Sequence, residues 1–282
     1  MTAIPLLGGF AGVALVNGTQ VLLTSGNATL DNTQTFVTLM DIVPDSTQRT
    51  KVLYAPGTTM ISGSLAWDVK ADAMNLISNS GGLLQRGFHF TVAMWTGNAG
   101  TPYVGKLISN AYASSLSLQG AAGGLISANL SFVSGSVVSG GSNIWNDWSG
   151  GGSYISTRSE NSASIPYGYW YSGNANIPVK DWTLSYSQEV SPVFLNQNTT
   201  APKYMKCGTV EVTLDLNTME QISFANTSEL SHVVIATKNF QIQGVTKTEG
   251  FTFNGPTDAG AYSYSFTSAA LNMYPAQNII TP

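Results

Sequence analysis

Thr209-Val210-Glu211-Val212-Thr213-Leu214-Asp215-Leu216, preceded by Trp182-Thr183-Leu184-Ser185-Tyr186, decides the fold class. In the later run Val210, Val212, Leu214 and Leu216 fall on one side and Glu211, Thr213 and Asp215 on the other. In the earlier run Trp182, Leu184 and Tyr186 oppose Asp181, Thr183, Ser185 and Ser187. Successive side chains of a strand point to opposite faces. A period of two in β-branched and aromatic residues therefore predicts strands with one face buried and one wet.

The same pattern extends outward in both directions. Val13–Leu15 and Gln20–Leu23 flank Asn17-Gly18, the sequence signal of a two-residue hairpin. Further strands are predicted over Thr33–Met40, Met60–Val69, Phe88–Trp95, Lys106–Ala113, Ser115–Gln119 and Ser127–Val133. In the last third they are predicted over Val233–Thr237, Phe240–Val245, Gly250–Asn254 and Ala261–Thr267. Ala73, Met74 and Ile77 are spaced for one buried side of a short helix within Ala71–Ser78. Two long loops are predicted. One runs from Asp41 to Thr58 and holds Pro44, Asp45, Arg49, Lys51 and Pro56; the other runs from Val190 to Lys206 and holds Pro192, Asn198 and Pro202. Loops of this length usually make contacts of their own.

Composition agrees with a β-rich chain. Of 282 residues, 43% are hydrophobic and only 9% charged, with Gly, Ser, Thr and Asn filling much of the remainder. The formal net charge is −4 and the eleven basic residues are thinly spread, so no basic patch is expected to grip nucleic acid by its phosphates. Cys207 is the single cysteine, which excludes an internal disulfide and a cysteine-based metal cluster. Met1–Val16 is apolar but lacks a positive start and is interrupted by Pro5, Gly8, Gly9 and Gly12, so it reads as neither a signal peptide nor a membrane span. Five Asn-x-Ser/Thr triplets, at Asn17, Asn27, Asn129, Asn198 and Asn226, are read as by-products of composition.

Landmarks recur in order. Ser25-Gly26-Asn27-Ala28 returns as Ser172-Gly173-Asn174-Ala175, and Gly63 through Ile77-Ser78 returns as Gly208 through Ile222-Ser223. His89-Phe90-Thr91-Val92-Ala93 returns as His232-Val233-Val234-Ile235-Ala236, and Leu130-Ser131-Phe132 as Tyr264-Ser265-Phe266. The spacing between partners shrinks along the chain, which fits a duplication with longer loops in the first copy. Units of this size are whole domains. The expected organisation is a first domain over residues 1–134, a Gly/Ser/Trp-rich segment over 135–165, and a second domain over 166–282. Trp145 and Trp148 in the middle segment belong to a linker, to a surface loop docking on a neighbouring subunit, or to a sugar-binding platform.

No HExxH, GxSxG, Walker loop, paired-cysteine zinc spacing or calcium loop is present, and no enzyme, metal or cofactor is expected. His89 and His232 each open an apolar strand with no acidic or cysteine cluster nearby, and read as structural or solvent-facing, not as ligands or general bases. The polar faces collect Asp181, Ser185, Glu211, Thr213 and Asp215 in the second half, with Asp68 and Lys70 in the first. This is either an ordinary solvated sheet surface or the wall of a passage that does not hold DNA phosphates.

Tyr167-Gly168-Tyr169-Trp170-Tyr171-Ser172-Gly173-Asn174-Ala175-Asn176-Ile177-Pro178-Val179-Lys180-Asp181-Trp182-Thr183-Leu184-Ser185, then Pro192-Val193-Phe194 and Gly208–Asp215, resembles the tail tube proteins of tailed bacteriophages. The duplication is similar to the form whose subunit fuses two tube domains. The resemblance implies two tandem β-sandwich or half-barrel domains, each with a short flanking helix. It implies homotrimeric rings with pseudo-sixfold symmetry, stacked into a tube and capped by other tail proteins, through which DNA passes without specific binding. The subunit would be assembled in the bacterial cytoplasm and reside in the virion tail, without contact with a membrane. The lumen would be lined by Asp68, Lys70, Asp181, Ser185, Glu211, Thr213 and Asp215. The two long loops would reach the next ring. A related ring-forming tail protein such as a terminator, and a glycan-binding β-sandwich using Trp145, Trp148, Tyr169 and Trp170, are the other readings.

Overall fold

The computed structural model describes residues 11–40, 50–69, 76–77, 81–98, 101–121, 126–135, 145–147, 169–172, 175–177, 179–193, 202, 204–219, 221, 229–235, 238–243, 246–253, 260–268 and 270–275. The protein is mainly β, and every strand pairing among these residues is antiparallel.

β1 (Ala11–Val16) turns into β2 (Thr19–Met40) at Asn17-Gly18. Both turn residues have positive φ, 49° and 80°, the twist that a tight hairpin needs. β2 pairs next with β3 (Thr50–Asp68), β3 with β6 (Ser127–Gly135), β6 with β5 (Thr101–Ala121), β5 with β4 (His89–Asn98), and β4 with β1. The pairings of these six strands form a closed circuit. Ala14, Val21, Leu65, Trp67, Phe90, Leu116, Leu130 and Phe132 are buried in its core.

β5 is long enough to serve four neighbours. Ala111 pairs with Phe90 of β4 across one edge and with Ser134 of β6 across the other. From Ser115 onward the edge that β4 has left is taken by β10 (Asp181–Val193), while β7 (Trp145–Asp147) lies along the opposite edge ahead of β6. β10 is followed outward by β11 (Tyr204–Thr218), β15 (Ala261–Ser268) and β14 (Thr246–Thr252), completing an eleven-stranded sheet. A five-stranded sheet runs in the order β16 (Ala270–Pro275), β13 (Lys238–Gln243), β12 (Glu229–Ile235), β8 (Tyr169–Ser172) and β9 (Ala175–Ile177). Ile242 of β13 joins the same hydrophobic cluster as the large sheet.

One winding occurs twice in the large sheet. The order β2-β3-β6-β5 is a hairpin followed by two strands in reversed sequence order, and β10-β11-β15-β14 repeats it directly beyond β5. Leu130–Phe132 and Tyr264–Phe266 hold the corresponding inner strands, β6 and β15. The other landmarks fit less well. Gly63 lies opposite Phe132, whereas Phe266 lies opposite Leu214 and not Gly208, so the glycines are out of register. Ser25–Ala28 runs through β2, whereas Ser172 and Ala175 close the β8–β9 hairpin in the other sheet.

The loop expected over Asp41–Thr58 is strand from Thr50 onward. β2 and β3 stay paired out to Met40 and Thr50, with Lys51 opposite Leu39. Pro56-Gly57 falls where the register jumps from Thr33↔Thr58 to Thr35↔Ala55, a bulge that accommodates a residue with no N–H to donate. Likewise the Val190–Lys206 loop is strand as far as Val193 and again from Tyr204, so Pro192 lies in β10 opposite Met205. Pro44, Asp45, Arg49 and Asn198 lie outside the described residues, while Pro202 is buried. Of the helix expected over Ala71–Ser78 only Leu76 and Ile77 are described, in a 3-10 turn with both side chains buried.

Candidate functional site

The alternation in each strand sets the faces, and the register then aligns them across the sheet. On the buried side Trp67, Ala128, Leu118, Leu184, Leu214 and Phe266 stand in one cross-strand row, and all are nearly inaccessible. The opposite side is built from small polar groups. One row reads Ala66, Asn129, Ser117, Ser185, Thr213, Thr267; the next reads Asp68, Ser127, Gln119, Thr183, Asp215, Ser265, Thr248. A third begins Ser64, Ser131, Ser115, Ser187, Glu211, and a fourth joins Ala121, Asp181, Asn217 and Ser263. Directly opposed residues of an antiparallel pair share a face, so these rows form one surface.

Of the residues expected to line a passage, Asp68, Asp181, Ser185, Glu211, Thr213 and Asp215 all lie on this face. Asp68 and Asp215, from opposite halves of the chain, share a row. Lys70 lies outside the described residues. The charged members of these rows are the acids Asp68, Asp181, Glu211 and Asp215, so the surface is hydroxyl- and amide-rich with scattered negative charge. Asn217 Nδ2 donates to the Asp181 carboxylate, and Asn27 Oδ1 accepts from both the backbone N–H and the hydroxyl of Ser64 (3.1 and 3.2 Å). The serines and asparagine of β5 and β6 were not singled out from the sequence, although the Ser-Leu-Ser-Leu run from Ser115 carries the same period of two.

The junction of the two halves is specific. Trp182 of β10 lies over Gly120 of β5, where a side-chain carbon on Gly120 would fall 2.7 Å from the indole. Gln188, only 4% exposed, accepts from the Gly87 N–H (3.0 Å) and donates to the Ala113 carbonyl (3.2 Å). Arg86 donates to the Cys207 carbonyl at 3.0 Å. Beside these groups burial pushes the Tyr186 phenol up to about 12, with the nearby Cys207 adding to the rise and Arg86 opposing it. Burial also raises the Cys207 thiol, against a lowering by Arg86. A thiol held protonated is a poor nucleophile.

Trp145 opens β7, whose backbone pairs with Ile108 of β5 in the same chain, and Trp148 lies outside the described residues. The backbones of Tyr169 and Trp170 belong to β8. His89 begins β4 with its ring 6.1 Å from that of Tyr112. Among the described residues no three His, Cys, Asp or Glu side chains come together to hold a metal ion. Neither protein-family models nor curated proteins give a match to this chain.

Proposed function

We propose that the chain is a structural ring subunit of a phage tail tube, its copies closing into rings that stack into a conduit for DNA. The observation that carries this reading is the polar face, continuous from β3 to β14 across both halves. Hydroxyls and amides exchange hydrogen bonds with water readily, and the acids among them repel phosphates. Such a wall lets a polyanion pass without trapping it. The repeated winding of the large sheet supports a subunit that contributes two like segments to a ring. The β2–β3 ribbon, continuing past the reach of β6, supports contact with a neighbouring ring in place of the loop expected there.

Negative-stain microscopy and sedimentation test the assembly: rings or filaments built from trimers are expected, and a strictly monomeric protein at high concentration would overturn the reading. Replacing Asp181, Glu211 and Asp215 together with lysine is expected to leave rings intact and to slow or block DNA ejection from the assembled particle. Unchanged ejection would remove this face from the lumen.

A further inference from the structure

The junction inside the chain supplies a template for the junction between chains. β10 lies along β5 with Leu116 opposite Tyr186, Leu118 opposite Leu184 and Gly120 opposite Trp182. In the repeated winding β14 takes the place of β5, and β2 that of β10. Register fixes the correspondence residue by residue. Leu130 and Tyr264 hold matching places on the inner strands; opposite Leu130 stand Leu116 and Leu65, and opposite Tyr264 stand Glu249 and Leu216. Glu249 therefore corresponds to Leu116, Phe251 to Leu118 and Phe253 to Gly120. Gly26, opposite Leu65, corresponds to Trp182, opposite Leu216; Ala28 then matches Leu184, and Leu30 matches Tyr186.

Among the described residues the outer edge of β14 and the edge of β2 beyond β1 are unpaired. Phe251 and Phe253 stand 59% and 58% exposed at one of them, and Gly26 is exposed at the other. Free strand edges with aromatic side chains invite pairing. The sizes are reciprocal to the internal junction: there the aromatic Trp182 of β10 covers the glycine of β5, whereas here the aromatic Phe253 follows β14 and the glycine lies on β2.

Resting on the ring reading above, we infer that β14 of one copy pairs antiparallel with β2 of the next, with Phe253 opposite Gly26, Phe251 opposite Ala28 and Glu249 opposite Leu30. The polar rows then continue unbroken, Thr252 beside Asn27.

The test is cross-linking in the full chain with Cys207 replaced by serine. Directly opposed residues bring their Cβ atoms to about 4.5–5.5 Å, whereas residues two positions off lie about 7–8 Å apart, beyond disulfide reach. Ala28→Cys with Phe251→Cys is expected to give covalently closed trimers on oxidation, and Leu30→Cys with Phe251→Cys to give none. A size exchange provides a second readout: Ala28→Phe alone is expected to lose rings, and adding Phe251→Ala to restore them. Rings that form normally but cross-link only through the offset pair would overturn this register and leave the ring reading standing. Absence of both rings and cross-links in every variant, and of rings in the unmodified chain, would overturn both.

Discussion

Tyr186 shows what the junction costs at the level of one residue. Its ring fills the core at 3% exposure, yet its hydroxyl is buried with no hydrogen-bond partner, which is unfavourable by about 1–3 kcal/mol. Tyr186→Phe keeps the ring and removes the stranded group, so denaturant unfolding is expected to show a gain of about 1 kcal/mol. The same residue sets an alkaline limit. Its folded value of about 12 lies above the unfolded 10.0, so the folded chain holds the phenolic proton more tightly. The associated stability is complete below pH 10 and is lost as pH rises towards 12; Cys207, also raised, acts in the same direction. Thermal unfolding across this range is expected to fall less steeply in Tyr186→Phe than in the unmodified protein.

Among the elements, the strand pair β10–β11 is held both by its ladder and by Gln188, whose amide bridges the turn at Gly87 to β5 at Ala113. Gln188→Ala leaves the Ala113 carbonyl without this donor and opens a cavity, and is expected to lower stability by about 2 kcal/mol in urea titration. A neutral result would mean that the bridge is incidental. β10 and β11 were legible in the sequence because their alternation is strict from Asp181 to Ser187 and from Val210 to Leu216. The Asn17-Gly18 turn was legible because few residues tolerate its two positive φ angles. Of the β2–β3 ribbon, Thr33–Met40 and the part of β3 from Met60 were legible, but Thr50–Thr58 was not: Pro56-Gly57 reads as a loop, and only the register shows the bulge that lets the strand continue through it. β8, β9 and β16 are short and lack a clear period. The acidic residues of the candidate face were legible by parity alone. That Asp68 and Asp215 share a row depends on pairings between distant strands, which no local pattern encodes.

For the whole molecule the divided edge of β5 has a consequence in time. The closed circuit of β1 to β6 needs no residue after Gly135, whereas β10 has its β5 ladder only if Ser115–Ala121 is already in place. A chain emerging from the ribosome can therefore complete the first half before Asp181 exists, and that half then presents a ready strand edge on which the second is templated. Pulse-labelling hydrogen exchange during refolding is expected to protect β6 before β10; simultaneous protection would mean that the two halves fold as one. The β5 edge that joins the halves is thus also a clock, setting which part of the protein is born folded and which must wait for it.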